Sequence, residues 1–336
     1  MSAVNYIATW FYKESEDEAS FYPQMGKKGS SPLVHSVYMK IQVPFFVTFK
    51  HYNPEAKFLF FTNLKRELLP DYLLEMFDGL DIAVITLPYT KRPPKDWYKA
   101  WQNQFYLYDM LEYMEKKMNA DDCLLVSDAD CVCRSSLDTL FTSVRTEGTA
   151  FYETITDRTY NINGITLPEM EDFYVRCFGK APVTPMTYYG GEFIALSGKV
   201  IKEVNAAYDQ VWSFNLKNRD SGLPKLNEEA HVMSIIAERI GKRNDIANAY
   251  VKRMWTTPQF NNVRPGDENL PVWHLPYEKK RGLSYLYSLL RKTYSIENEE
   301  LFWKKAGYRS GVPVVYIGKR VIDRWNTLWT KLKYLR

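Results

Sequence analysis

Cys123-Leu124-Leu125-Val126-Ser127-Asp128-Ala129-Asp130 is the stretch whose reading decides the fold. Its apolar half reads as a buried strand. Two carboxylates follow, with one residue between them. At a strand end that spacing lets both serve one divalent cation, directly or through water. Carboxylate oxygens suit hard cations such as Mg²⁺ and Mn²⁺, and a cation held there can hold a diphosphate. The spacing therefore points to chemistry on a nucleotide-activated substrate.

The surroundings supply the sheet. Residues 4–11, 57–63 and 81–87 are apolar runs of strand length. Residues 34–49 and 70–77 between them have helical spacing, while 13–31 is polar and reads as a loop. Strands alternating with helices argue for a parallel α/β sheet, in which ligands gather at the carboxyl ends of the strands. A long helix is expected over 95–119, where Trp97, Trp101, Phe105, Tyr108, Leu111 and Met114 recur at three- and four-residue steps. Residues 151–185 are irregular and read as loops forming one wall of a cleft. Helices are expected over 200–214 and 228–240, the second with Val232, Ile235, Ile236 and Ile240 on one face.

Tyr188-Tyr189-Gly190-Gly191-Glu192-Phe193 precedes an apolar strand, and its paired glycines permit close backbone approach to a ligand or simply a turn. Asn227-Glu228-Glu229-Ala230-His231 opens a helix, and Val272-Trp273-His274-Leu275-Pro276 follows later. Acid enrichment at a helix N-terminus is favourable on its own account. An imidazole beside two carboxylates is a plausible Mn²⁺ set. A histidine hydrogen-bonded in the core reads equally well.

The order of these elements resembles a GT-A glycosyltransferase, most of all the retaining family that makes the blood-group A and B sugars. The fold expected is a Rossmann-like central mixed sheet flanked by helices. The resemblance implies that Asp128 and Asp130 hold Mn²⁺ or Mg²⁺ and the diphosphate of a nucleotide sugar, most readily a UDP-sugar. It places Ala8, Thr9 and Trp10 by the nucleoside, and it leaves Lys99 and Gln102, on the polar side of the long helix, to reach phosphate or ribose. Tyr189, Gly190, Gly191, Glu192 and His231 fall on the acceptor side. Glu229, with Glu228 before it, falls where that family has its catalytic carboxylate; Ala230 stands where a Ser is usual and Asn227 where a His is typical. His274 resembles the late third metal ligand of glycogenin-like retaining enzymes, although the glycine of their His-Phe-x-Gly context is missing.

These groups have separable tasks. Loss of a nucleoside diphosphate builds charge on phosphate, which a divalent cation stabilises. The anomeric carbon becomes cationic, and a carboxylate beneath it stabilises or attacks it, with retention. The same carboxylate beside the acceptor hydroxyl acts as a base, with inversion. The expected acceptor is a glycan or a lipid-linked sugar. Three rivals stand beside this reading. A haloacid-dehalogenase-type phosphatase would use Asp128 as nucleophile, but needs a later Lys and acidic pair. A nucleotidyltransferase would want an early glycine-rich phosphate loop. A glycan-binding scaffold would carry a dead metal site.

The expected organisation is a catalytic domain over 1–275, in halves 1–150 and 151–275, and a basic C-terminal helical extension over 276–336. From Trp303 onward the basic residues are Lys304, Lys305, Arg309, Lys319, Arg320, Arg324, Lys331, Lys333 and Arg336, against Asp323 alone. Apolar Val321, Trp325, Leu328, Trp329 and Leu332 oppose them, the composition of an interfacial helix on an anionic membrane or of a helix packed on the domain. No basic-then-apolar leader opens the sequence, and no run approaches the roughly 20 apolar residues that span a bilayer. Cys123, Cys131, Cys133 and Cys177 lack zinc spacing, and a reducing compartment is the simplest setting. A cytoplasmic protein, peripheral to a membrane face, is expected. A nucleic-acid partner is not, since the basic residues form no known binding motif.

Overall fold

The computed structural model describes residues 3–18, 20–155, 157–257 and 259–333, with side chains of the last helix described as far as Trp325. The chain opens with β1 (Asn5–Phe11), a short hairpin of β2 (Phe21–Tyr22) and β3 (Lys27–Lys28), α1 (Pro32–Tyr52), β4 (Lys57–Thr62), α2 (Asp71–Gly79) and β5 (Ile82–Thr86). It continues through α3 (Tyr106–Glu115), β6 (Cys123–Ser127), β7 (Cys131–Cys133), α4 (Asp138–Glu147), β8 (Thr149–Ile155), α5 (Leu167–Phe178) and β9 (Tyr188–Ser197). The remainder is α6 (Gly198–Asp220), α7 (Glu229–Arg239), β10 (Val251–Arg253), β11 (Val272–His274), α8 (Gly282–Leu290), α9 (Glu299–Ser310) and α10 (Ile317–Lys333).

The central sheet has the order β5-β4-β1-β6-β9-β8. Its first four strands are parallel, and β9 runs antiparallel between β6 and β8. This is the expected mixed sheet flanked by helices. Strand alternation divides the core between its faces. Ile7, Cys123 and Leu125 pack toward α1, α2, α4, α8 and α9. Ala8, Leu124 and Val126 pack toward α3, α5, α6 and α7. A second sheet, β10-β11-β7, grows from the residues just after Asp130. It is clamped to α1, where Cys133 N–H donates to Thr48 Oγ1 at 3.0 Å.

Three expectations are corrected. The helix over 95–119 is confined to Tyr106–Glu115, preceded by a 3-10 turn. Asp96 and Trp101 adopt left-handed backbone, φ 60° and 50°, which ends any helix between them. Trp97 is buried by that irregular path, its indole donating to Leu226 O at 3.1 Å. Residues 151–185 are not all loop. They complete β8 and contain α5, which Thr166 and Glu169 start with a reciprocal capping box and Gly179 stops at φ 69°. Finally, α7 buries every side chain from Glu229 to Glu238, not one apolar face. Two of its polar groups are paired inside the protein: Ser234 Oγ accepts from Tyr189 N at 3.0 Å, and Glu238 meets Arg243 at 2.9 Å.

The stretch from 276 onward shares the first core. Leu283, Leu286, Phe302, Trp303 and Val312 cluster with α1 and Trp273. The helix α10 is anchored by charge. Lys319, 3% exposed, meets Glu278 at 2.9 Å and Asp323 at 2.6 Å, and Arg281 meets Asp323 at 3.2 Å. Leu328, Trp329 and Leu332 of the expected apolar stripe have side chains outside the described residues.

The strand that carries the carboxylates enters through a tight turn. Gly198 N donates to Asp122 O at 2.8 Å, and a Cβ on Gly198 would lie 2.0 Å from the backbone oxygen of Asn119. Gly198→Ala should therefore cost about 1–3 kcal/mol of stability by overpacking. Urea unfolding checks this, with the midpoint falling and the slope unchanged.

Candidate functional site

Strand order reverses at β1: the chain goes to β4 and β5 on one side and to β6 on the other. A crevice forms at the carboxyl ends of β1 and β6, the usual ligand position in an open α/β sheet. The cleft there measures about 310 Å³. Trp10, Phe11 and Tyr12 leave β1 into it, and Asp128 and Asp130 leave β6.

The two carboxylates are held by backbone. Asp128 N donates to Glu192 O at 3.0 Å, and Leu275 N donates to Asp130 O at 2.9 Å. His274 arrives through sheet register, since β11 pairs antiparallel with β7 and sets His274 opposite Cys131. Its Nε2 lies 3.4 Å from Asp130 Oδ2 and 3.9 Å from Asp128 Oδ2. Its Nδ1 lies 3.4 Å from Glu192 Oε1. Glu192 is in turn gripped by Arg253, whose Nε and Nη2 donate to its two oxygens at 2.5 and 2.6 Å. Lys279 completes the cluster with an ammonium on Asp130 Oδ2.

Electrostatics follow from burial. Burial raises Asp130, but Lys279 and His274 outweigh it and hold the carboxyl below its usual range. Asp128 is pushed up to about 6 by burial and by Asp130. Burial lowers His274, yet the carboxylates of Asp130 and Glu192 carry it up to about 9. Burial also opposes ionisation of Glu192, but Arg253 and His274 hold it low. Five carboxyl groups, Asp128, Asp130, Glu192, Glu228 and Glu229, line the cleft against two permanent cations, Arg253 and Lys279.

That acid excess and the donor set fit a hard divalent cation. Asp128, Asp130 and His274 each offer one ligand atom, all within 4.8 Å of one another. Two carboxylates and an imidazole are ordinary ligands for Mn²⁺. Glu192 Oε1 stands 3.4 Å from Nδ1, which has no hydrogen-bond partner, and is the carboxylate placed to become the outer partner of a metal-ligating histidine while Nε2 faces Asp128 and Asp130.

The opposite wall is α7 and the loop before α5. Glu229 packs over Gly191 so closely that a Cβ there would lie 2.0 Å from Glu229 Oε1. Its Oε2 is buried without a hydrogen-bond partner. Burial, then Glu228 and Asp128, push its carboxyl well above the usual range. Glu228 is tied down by the Tyr188 hydroxyl and by Asn163 Nδ2. Gln24 Oε1 and Gln104 Oε1 are likewise buried in the wall without partners.

The other sequence candidates are dispersed. Ala8 and Thr9 are fully buried within β1, so only Trp10 of that trio faces the cleft. Lys99 and Gln102 are not on a helix face toward phosphate. Lys99 lies outside the cleft, and Gln102 turns its amide back to the Tyr98 carbonyl. Strand alternation sends Tyr188 into the cleft and Tyr189 away from it, where Tyr189 stacks on Phe151. Gly191 lines the cleft and Gly190 does not. His231 is buried at the start of α7, accepting from Asn227 N and Glu228 N at 3.3 Å and meeting Ile162 O at 3.0 Å. Glu192 lies under His274. Arg253, Lys279 and the two glutamines carry no signal in the sequence, because each stands alone in a stretch with no motif, whereas Tyr188 opens the Tyr-Tyr-Gly-Gly stretch without standing out from Tyr189 beside it. Only the period of two through β9 could have singled out Tyr188.

No family model matches the sequence, and no curated protein matches it. Among solved structures the chain is similar to the galactosyltransferase LgtC, determined in complex with donor and acceptor sugar analogs. The identity is 14%, 94% of this chain and 99% of that chain are covered, and the TM-score is 0.47. A likeness of that degree leaves function to be argued from the site itself.

Removing an outer partner of a ligating histidine typically lowers metal affinity about 10–100-fold. Glu192→Gln should therefore weaken Mn²⁺ binding to the free protein by that factor. Titration followed by the electron paramagnetic resonance of unbound Mn²⁺ measures it.

Proposed function

We propose that this chain is a metal-dependent glycosyltransferase that moves a sugar from a nucleotide sugar, UDP-linked, to a glycan or lipid-linked acceptor. One observation carries this reading: Asp128, Asp130 and His274 converge at the switch point of the sheet, inside a cleft with an acid excess. Mn²⁺ or Mg²⁺ bound there would supply the positive charge that stabilises a departing diphosphate.

The protein's own groups take the remaining roles. The Glu192–Arg253 pair fixes the ring of His274. Lys279 offers the ammonium nearest the carboxylates, placed to meet phosphate oxygens. Trp10 presents an aromatic face at the end of β1, where a base would stack. Gln24 and Gln104 offer unpartnered oxygens to hydroxyl donors, the currency of sugar recognition. Glu229 is the carboxyl assigned to the reacting sugar. Its high proton affinity suits transfer of a proton, and its free Oε2 is the atom available to do so. Beneath the sugar, Glu229 gives retention; beside the acceptor hydroxyl, it gives inversion. The four cysteines are free, in keeping with the reducing, cytoplasmic setting proposed here.

The test is thermal melting with UDP, GDP, CDP and ADP, each with and without Mn²⁺, on the full chain and on Asp130→Ala. A ligand at 100 times its Kd adds about 2.7 kcal/mol. One nucleotide should stabilise the native protein only when Mn²⁺ is present, and Asp130→Ala should lose that effect. Equal stabilisation of the variant, or none of the native protein by any pair, overturns the assignment.

The proton on His274 sets a pH dependence. It must leave before Nε2 can ligate, so metal binding releases a proton below about pH 9. Mn²⁺ affinity should rise roughly tenfold per pH unit between 7 and 9, then level off. Below about 6 it should fall more steeply, because Asp128 is also protonated there. Isothermal titration in buffers of different ionisation enthalpy counts the protons released.

A further inference from the structure

Between Lys304 and Trp325 the exposed surface holds cations and apolar side chains and no exposed acid. Lys304, Lys305, Arg309, Arg320 and Arg324 are exposed, while Asp323 is 4% exposed and paired with Lys319. Among them stand Tyr308, Val314, Tyr316, Ile317, Val321, Ile322 and Trp325, with Ile317 80% and Trp325 66% exposed. Tyr308 of α9 and Tyr316 before α10 stack with centroids 5.5 Å apart, joining the two elements into one surface.

The helix α10 is docked in the reverse of the usual sense. Stepping 100° per residue, Ile317, Val321, Trp325 and Ile322 share one arc, and Arg320 and Arg324 border it along the edge next to Ile317. Lys319 and Asp323 lie on the far side, buried against Glu278 and Arg281. The charged side is thus consumed by internal ion pairs, and the apolar side faces outward with a cationic border.

We infer that this face docks on an anionic lipid bilayer. An interfacial helix places its apolar arc at the acyl boundary and its flanking cations at the headgroups, as this arrangement permits. A second copy fits poorly. A two-fold contact of α10 would set the same face against itself, bringing Arg320 and Arg324 onto their own copies, while the exposed acids Glu299 and Glu300 stand at the start of α9 beside Lys304 and Lys305. A nucleic acid would meet the cations but leave the apolar arc unused. The inference is independent of the reaction in the cleft, since it rests on residues outside it.

The test is sedimentation of the full chain with vesicles of phosphatidylcholine alone or with phosphatidylglycerol at about one lipid in three. Binding to the mixed vesicles should exceed binding to the neutral ones at least about tenfold and weaken with salt. Two double variants should each lower that binding roughly tenfold: Ile317→Ser with Trp325→Ser, and Arg320→Glu with Arg324→Glu. All four side chains are exposed, so melting temperature and Mn²⁺ binding should hold. The inference is overturned by absent or charge-independent vesicle binding, by undiminished binding of both variants, or by a dimer in solution that the serine variant dissolves.

Discussion

Asp130 is a carboxylate 1% exposed at the end of a buried strand, and the protein must keep it ionised there. An uncompensated charge at such depth costs several kcal/mol, and removing one partner of a buried pair typically costs about 3–5 kcal/mol. The small sheet β10-β11-β7 answers this constraint. It begins at Cys131, directly after Asp130, and delivers His274 on β11 and Arg253 on β10, with Lys279 following. Arg253 compensates Glu192 so that Glu192 can sit under His274. The cations around the carboxylates are therefore not separate decorations. They form one chain of compensation running Asp130, His274, Glu192, Arg253.

The compensation is incomplete by design of the residues present. Asp128 and Glu229 remain with raised proton affinities because burial and neighbouring carboxylates outweigh whatever cation reaches them, His274 and Lys279 in the case of Asp128. The donor set of such a cluster suits a hard dication, since the acid excess and the oxygen donors coincide. The unpartnered oxygens of Gln24, Gln104 and Glu229 across the same space are the groups that a hydroxylated ligand would satisfy.

One short segment ties this cleft to the far surface. Glu278, Lys279 and Arg281 point to different masters: Lys279 to Asp130, Glu278 to Lys319, and Arg281 to Asp323. Placement of α10 and placement of the ammonium in the cleft thus share a few consecutive peptide units, also held by Gly282 N on Glu278 Oε2 at 3.0 Å. The outward apolar arc of α10 follows from this anchoring, because the turn of helix that carries Lys319 and Asp323 must face the core.

Local patterns were legible where period and punctuation agree. The buried strands at 57–62 and 123–127, the helix after Pro32, and Asp128 with Asp130 at a strand end could all be read from apolar runs and the polar residues that stop them. The span 95–119 misled because a helical period in Trp97 and Trp101 is also produced by two aromatics buried from an irregular loop, and left-handed φ at Asp96 and Trp101 leaves no signal in composition. The strand β8 and the helix α5 were hidden by mixed polarity, although the Thr166–Glu169 box was there to be seen. By itself the sequence determined the alternation of elements, the pair of carboxylates and the basic, apolar composition of the C-terminal helix, since these depend on neighbours within a few residues. Only the tertiary structure decided that His274 and Lys279 join those carboxylates, that His231 is a core residue, and that α10 turns Lys319 and Asp323 inward. Each of those outcomes depends on which distant segments share one buried charge, and chain separation carries no information about that.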